Sequence, residues 1–406
     1  MASFDPAAAT EAYLAALSPA GHLKAIHYTQ GGHWLILWGW LVSVAVSFII
    51  LRSGVLHRIR KIDGTRRRPL SASLAVGLAY LGLSWLLGLP WSVYADWWRE
   101  KSYGLNNQSF FGWFTENFTA TLISTVVMGF ALMGLYALLR RAPRTWWIWA
   151  SGLAVTLMIL GLIVAPVAIE PLFNKYTPAP PGSVRDAVVA LAKKAHVPSD
   201  KIYIFNGSKQ SNRYTANVSG LFGSARVAMS DTMFQKGADL AEVRGVLGHE
   251  MGHYARAHIL WFAGISIFLC IALFALIQVL FAPVAALLRA EVFGIADPAA
   301  LPVIAIIVAT LSLLATPLMN TITRLQEADA DHFSLVVAGE PDGLSKALVK
   351  TIEYRADSPS WIEEFIFYDH PSVRRRVQRA MDWKAAHMTA GENQDATHRS
   401  PDSAGH

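Results

Sequence analysis

The sequence predicts a mainly α-helical, polytopic membrane protein with about six transmembrane helices and a small α+β domain. Three observations carry that expectation. Apolar residues make up 53% of the 406 and charged residues only 16%, where an ordinary soluble chain carries roughly 25% charge. The apolar residues gather into runs of about 20, the length that crosses a hydrocarbon core. Between the fourth and fifth runs the pattern changes to short alternating segments broken by Pro and Gly, as a small sheet requires.

Taken in order, residues 1–33 form an Ala-rich amphipathic stretch without the basic start and apolar core of a signal peptide. Spans follow at 34–51, 74–95, 119–139 and 146–169, with Pro90 expected to kink the second. These make an N-terminal membrane domain, 1–169. Pro178-Ala179-Pro180-Pro181-Gly182 then breaks the chain. Residues 183–195 have amphipathic helical spacing, and 201–205, 214–218 and 225–229 read as strands. A helical pattern covers 239–260, and two more spans are expected at 259–288 and 301–319. A second domain, 170–386, holds these elements, and 387–406 reads as a polar, disordered tail. The single cysteine, Cys270, excludes an internal disulfide. The net charge of +6 clusters beside apolar runs, and the 14 Trp lie near their ends. That fits a lipid bilayer as partner and topology signals, not a nucleic-acid surface.

The chemistry is concentrated in His249-Glu250-Met251-Gly252-His253, an H-E-x-x-H pattern. On a helix the two imidazoles share a face and can bind one metal ion, for which zinc is suited. Glu250 is placed to take the proton of a metal-activated water, the apparatus of peptide hydrolysis. The bland alternative is two surface histidines on an ordinary helix. Gly248 and Gly252 let that helix pack closely. Farther on, Glu327 and Asp331 share a helix face. Glu327 suits a third ligand, leaving the fourth position for water, and Asp331 suits the far nitrogen of a ligand His. A solvated acidic face is the alternative. His370, followed by Arg374, Arg375 and Arg376, could stabilise an oxyanion; on pattern alone a loop histidine before a basic helix start is the stronger reading. The small sheet either binds an extended peptide as an added strand or only braces the metal helix.

These pieces resemble the integral-membrane zinc endopeptidases of the CAAX prenyl protease 1 type. The resemblance rests on Gly88-Leu89-Pro90-Trp91-Ser92 with Tyr94, Gly104-Leu105-Asn106-Asn107-Gln108, and Glu170-Pro171-Leu172-Phe173-Asn174-Lys175-Tyr176-Thr177-Pro178. It continues through Gly207-Ser208-Lys209, Asp231-Thr232, Pro317 with Asn320, Arg324 through Glu327 to Ala330-Asp331, and His370-Pro371 with Arg376. It implies one zinc ion on His249, His253 and Glu327, with Glu250 as general base and then acid. It implies that His370 and Arg376 stabilise the tetrahedral intermediate and that Asn217 belongs to the substrate-binding edge. It also implies membrane helices ringed around a chamber, and a peptide or protein substrate cut beside a prenylated cysteine. The segment 211–217 departs from the family's usual wording, which bears on prenyl recognition more than on hydrolysis.

A quality-control protease for misfolded membrane proteins is the nearest alternative. A transporter or scaffold with structural zinc is the alternative of another class, and three ligands plus Glu250 speak against it. The membrane side stays open. Arg52, Arg58, Arg60, Lys61, Arg66, Arg67, Arg68, Arg140, Arg141 and Arg144 place their loops in the cytoplasm by the positive-inside rule, which turns the zinc segment outward. The resemblance implies a cytosolic catalytic face.

Overall fold

The computed structural model describes residues 4–62, 69–198, 201–213, 215–220, 226–235, 237–352 and 355–388. Arg66, Arg67 and Arg68, the strand-opening Tyr214 and Ala225, and the tail from 389 lie outside the described residues. By contacts the chain divides into two units that interleave along the sequence. One draws on Met1–Gly31, Asn174–His258 and Pro317–His406, the other on Gly32–Phe173 and Ile259–Thr316. The two late spans therefore pack with the first four, whereas the sequence reading divided the chain at residue 169.

Among the described residues, six helices are long and apolar enough to cross a membrane: Pro19–Ser53, Pro69–Ser102, Phe110–Arg141, Trp146–Phe173, His258–Leu287 and Pro298–Ala338. Only 6% of the fourth one's apolar window is buried in protein, so most of its side chains are left for lipid to cover. Most of these helices overrun their apolar runs, because backbone hydrogen bonding continues through polar residues that hydropathy ignores. The clearest case is Leu301–Ala338, which passes through Pro317 and carries Glu327 and Asp331 on the same helix as the sixth apolar run. Pro90 does not end its helix; the turn after it widens into a π-helical segment, Val93–Trp98, as a missing N–H in the ladder allows. Tyr136, Leu139, Trp146, Ile277 and Val303 form one inner core of this unit. Val46, Ile50, Val76, Tyr80 and Leu132 form another.

Among the described residues, the unit drawn from Met1–Gly31, Asn174–His258 and Pro317–His406 is built on four strands. β1 is Tyr176–Pro178, β2 Ile202–Phe205, β3 Ala216–Ser219 and β4 Arg226–Ser230. Their order is β1-β2-β4-β3, with β2 parallel to β4 and the other pairs antiparallel. The helix Ser183–Lys194 and the motif helix Leu240–Ala255 pack with this sheet through Val188, Leu191, Val227, Met229 and Met233. Val243, Leu247 and Met251, four residues apart, are fully buried in that core. That stripe turns His249 and His253 to the other side of the motif helix. Asp239 starts the helix by accepting from the Glu242 amide at 2.8 Å, which satisfies one of the free N–H groups of the first turn.

Candidate metal centre and active site

Glycine sets how closely the motif helix and Leu301–Ala338 approach. A Cβ on Gly252 would lie 3.1 Å from the Ala330 Cα and 3.2 Å from its carbonyl oxygen. One on Gly248 would lie 2.8 Å from Ser334 Oγ, a hydroxyl that donates to the Gly245 carbonyl at 2.7 Å. The motif helix therefore meets Leu301–Ala338 almost backbone to backbone. Glu327 and Asp331, one turn apart on that partner, reach across to the two histidines.

Three donor atoms converge there. His249 Nε2 and His253 Nε2 are 3.2 Å apart. Glu327 Oε2 is 3.1 Å from the first and Oε1 3.3 Å from the second. Ligands bound to zinc at about 2.0–2.1 Å in tetrahedral geometry stand about 3.3 Å apart, and the three residues offer one ligand atom each within 4.8 Å of one another, near enough to share one ion. Among the described residues no other group of three or more His, Cys, Asp and Glu brings its ligand atoms within 4.8 Å of one another. The buried Oε2 of Glu327 accepts no hydrogen bond of ordinary geometry, although the Nε2 atoms of His249 and His370 lie 3.1 and 3.2 Å from it. A cation would satisfy that orphaned oxygen. Burial opposes charge on His249, but the Asp331 and Glu327 carboxylates outweigh it and push its pKa up to about 10. The field at this point thus favours a positive charge, whether proton or metal.

Behind the three converging residues, Asp331 Oδ1 lies 2.9 Å from His249 Nδ1. The Arg376 guanidinium donates to both oxygens of Asp331 at 2.7 Å, a bidentate pair that fixes the carboxylate plane. All three groups are buried. Burial disfavours the charge on Arg376, but Asp331 and Glu327 raise its pKa overall.

A cavity of about 280 Å³ opens beside the centre, lined by Arg213, Thr215 and Ala216 on the sheet side. His249, Glu250, Arg355, His370 and Arg376 line it as well. Burial pushes the Glu250 carboxyl above its ordinary value, and the neighbouring imidazoles oppose this only in part. His370 stands on the loop before the helix Val373–His387, its Nδ1 held 2.8 Å from Asp369 Oδ1. Burial lowers the His370 pKa against the pull of Asp369, which favours a neutral ring. His249, His253, Glu250, Glu327, Asp331, His370 and Arg376 are thus brought together, while His370 stays outside the converging donor set. Asn217 is placed differently. It sits in β3 opposite Ala228, one residue past the cavity-lining Ala216, and alternation along a strand points it to the other face. Its buried Oδ1 has no hydrogen-bond partner. The sequence reading missed His258, Asp329 and the orienting Asp369. His258 carried a faint signal, a third histidine five residues past His253.

A family model described as peptidase family M48 matches residues 178–384, just over half of the chain. This protein belongs to peptidase family M48. A second model, the CAAX prenyl protease N-terminal segment with five membrane helices, matches residues 7–175. An uncharacterized metalloprotease of Bacillus subtilis is 28% identical over 392 residues, covering 94% of this chain and 89% of its own. CAAX prenyl protease 1 of Saccharomyces cerevisiae is 28% identical over 341 residues, with 77% and 73% covered. The crystal structure of S. mikatae Ste24p shares the fold, with a TM-score of 0.75 at 23% identity over 91% of this chain and 90% of that one. This M48 chain is accordingly a multi-pass membrane metallopeptidase. Its family implies a metal, generally zinc, and the His/Glu cluster is where the chain can hold it.

Proposed function

We propose that this peptidase holds one zinc ion on His249, His253 and Glu327 and hydrolyses a peptide bond in the adjoining cavity. The observation that carries the reading is the convergence of three ligand atoms with Glu250 on the wall of the same cavity. Zinc there supplies a Lewis acid and lowers the pKa of a water towards neutrality. Glu250 accepts the proton of the attacking water and later delivers it to the leaving amine. A carboxyl pushed upward by burial is suited to both transfers near neutral pH. His370, held by Asp369, offers its Nε2 side to the oxygen of the cleaved carbonyl. Arg376 adds positive charge to the same wall while it holds Asp331. The substrate lies along β3, an edge strand that pairs with β4 alone among the described residues, as an added strand; Asn217 braces that edge. The substrate class is a prenylated protein with a CAAX terminus, by analogy with the yeast relative. A lipid-bearing peptide suits an enzyme whose own helices sit in the bilayer.

The test uses the full-length protein in detergent or nanodiscs. Glu250→Gln should keep its zinc and lose cleavage of a farnesylated CAAX peptide by roughly 10²–10⁴-fold, the contribution of a positioned acid–base group. Wild-type turnover by that variant refutes the mechanism. Equal rates on the farnesylated and unprenylated peptides refute the substrate class and favour a broader membrane protease.

A further inference from the structure

His258 opens the apolar helix His258–Leu287 and follows Ala257, whose φ of 54° is left-handed. That conformation is uncommon for a residue with a Cβ. Here it turns the chain between two helices, so that the His258 ring comes back against His253, centroids 5.0 Å apart and nearly perpendicular. His258 Nδ1 is 3.0 Å from His253 Nδ1, and His258 Nε2 is 3.1 Å from Asp329 Oδ2. The His258 ring is buried, whereas Asp329 reaches the surface and also meets Arg256 at 3.5 Å.

Proton bookkeeping along this chain has one solution for neutral rings. An ionised Asp329 only accepts, so His258 carries its proton on Nε2. Its Nδ1 then has a free lone pair and accepts from His253 Nδ1–H. That leaves the lone pair of His253 on Nε2, the atom 3.3 Å from Glu327 and 3.2 Å from His249 Nε2. The geometry points to His258 as a positioning residue for the metal ligand His253: it selects the ligating tautomer and fixes the ring plane, with Asp329 as the terminal acceptor. The other ligand histidine meets a carboxylate directly. The Nδ1 of His253 reaches one through a second imidazole, so its hold on the metal depends on a residue outside the H-E-x-x-H pattern. The inference rests on the zinc reading of the same site.

The experiment measures zinc affinity of the full-length protein by chelator competition, together with the visible absorption of the cobalt-substituted form. His258→Leu removes the acceptor and should weaken zinc binding roughly 10–100-fold, the usual effect of removing an outer partner of a ligand, and shift the cobalt spectrum. His258→Asn offers an amide oxygen to His253 Nδ1–H and should restore most of the affinity. Wild-type affinity and spectrum in His258→Leu overturn the assignment. So does an equal loss in both variants, because packing and not the accepted proton would then matter. If the leucine variant fails to fold, the asparagine variant alone decides: near-wild-type affinity supports the role and a full loss overturns it. A wild-type protein that takes up no zinc overturns the metal reading and this inference together. Zinc-binding wild type with an unaffected His258→Leu overturns this inference only.

Discussion

Substituting Gly252 by valine tests whether the close approach of the two helices sets the metal geometry. Its Cβ would meet the Ala330 backbone at 3.1 and 3.2 Å, and Phe333 Cβ at 3.2 Å. Ordinary contact starts some tenths of an ångström farther out, and the two valine methyls add to the excess. Ala330 cannot retreat alone, because its helix also carries Glu327 three residues before and Asp331 one residue after. A shift of about 0.5 Å exceeds the roughly 0.2 Å tolerance of a metal–ligand distance. Overpacking of this kind costs about 1–3 kcal/mol, and valine regains only a few tenths of that over glycine as a helix former. Zinc affinity should therefore fall at least roughly tenfold, at the lower edge of what outer-sphere changes produce, and thermal stability should fall with it. Gly264→Val is the control, since a Cβ there meets nothing within 4 Å; it should leave zinc affinity unchanged. Chelator competition and thermal unfolding in detergent read both variants. Wild-type zinc affinity in Gly252→Val would show that helix spacing does not govern the site.

Arg376→Met leaves the Asp331 carboxylate buried without its bidentate partner, so unfolding free energy should drop by about 3–5 kcal/mol; denaturant titration showing wild-type stability would contradict the clamp. Asp239→Ala removes the cap of the motif helix at a cost of about 1 kcal/mol. The Glu242 amide holds the Asp239 carboxyl below its ordinary value, so the cap's contribution is full above the unfolded value of about 4 and is lost as pH falls through the lower folded value. The gap between wild type and Asp239→Ala should accordingly close below about pH 4, and a constant gap in pH-dependent unfolding would exclude this origin.

Much of the candidate site was legible because its residues come in local pairs. His249 with His253, and Glu327 with Asp331, each stand one helical turn apart, and helical spacing is visible in a sequence. The six apolar runs were legible for the same reason, as were β2 and most of β3 and β4. What escaped depends on distant packing. β1 has three residues and ends in Pro178, and only its antiparallel pairing with β2 makes it a strand. Arg374, Arg375 and Arg376 read as one basic cluster, yet steps of about 100° along a helix send them to three faces. Arg374 pairs with Glu11, Arg375 with Glu364 at 3.2 Å, and Arg376 turns inward to Asp331. His258 was hidden because its approach to His253 depends on one left-handed residue, Ala257, which no composition rule marks. Asn217 could be placed on a strand, but its face depended on where β3 begins.

The connectivity of the two units has a bearing on biogenesis. His249 and His253 leave the ribosome well before Glu327, and the intervening chain must thread two apolar helices into the bilayer. With the ligand set proposed above, a nascent chain that has reached only the paired imidazoles lacks the carboxylate that would complete the grip on the cation. Proteolytic power therefore cannot arise during synthesis until integration into the membrane is nearly finished.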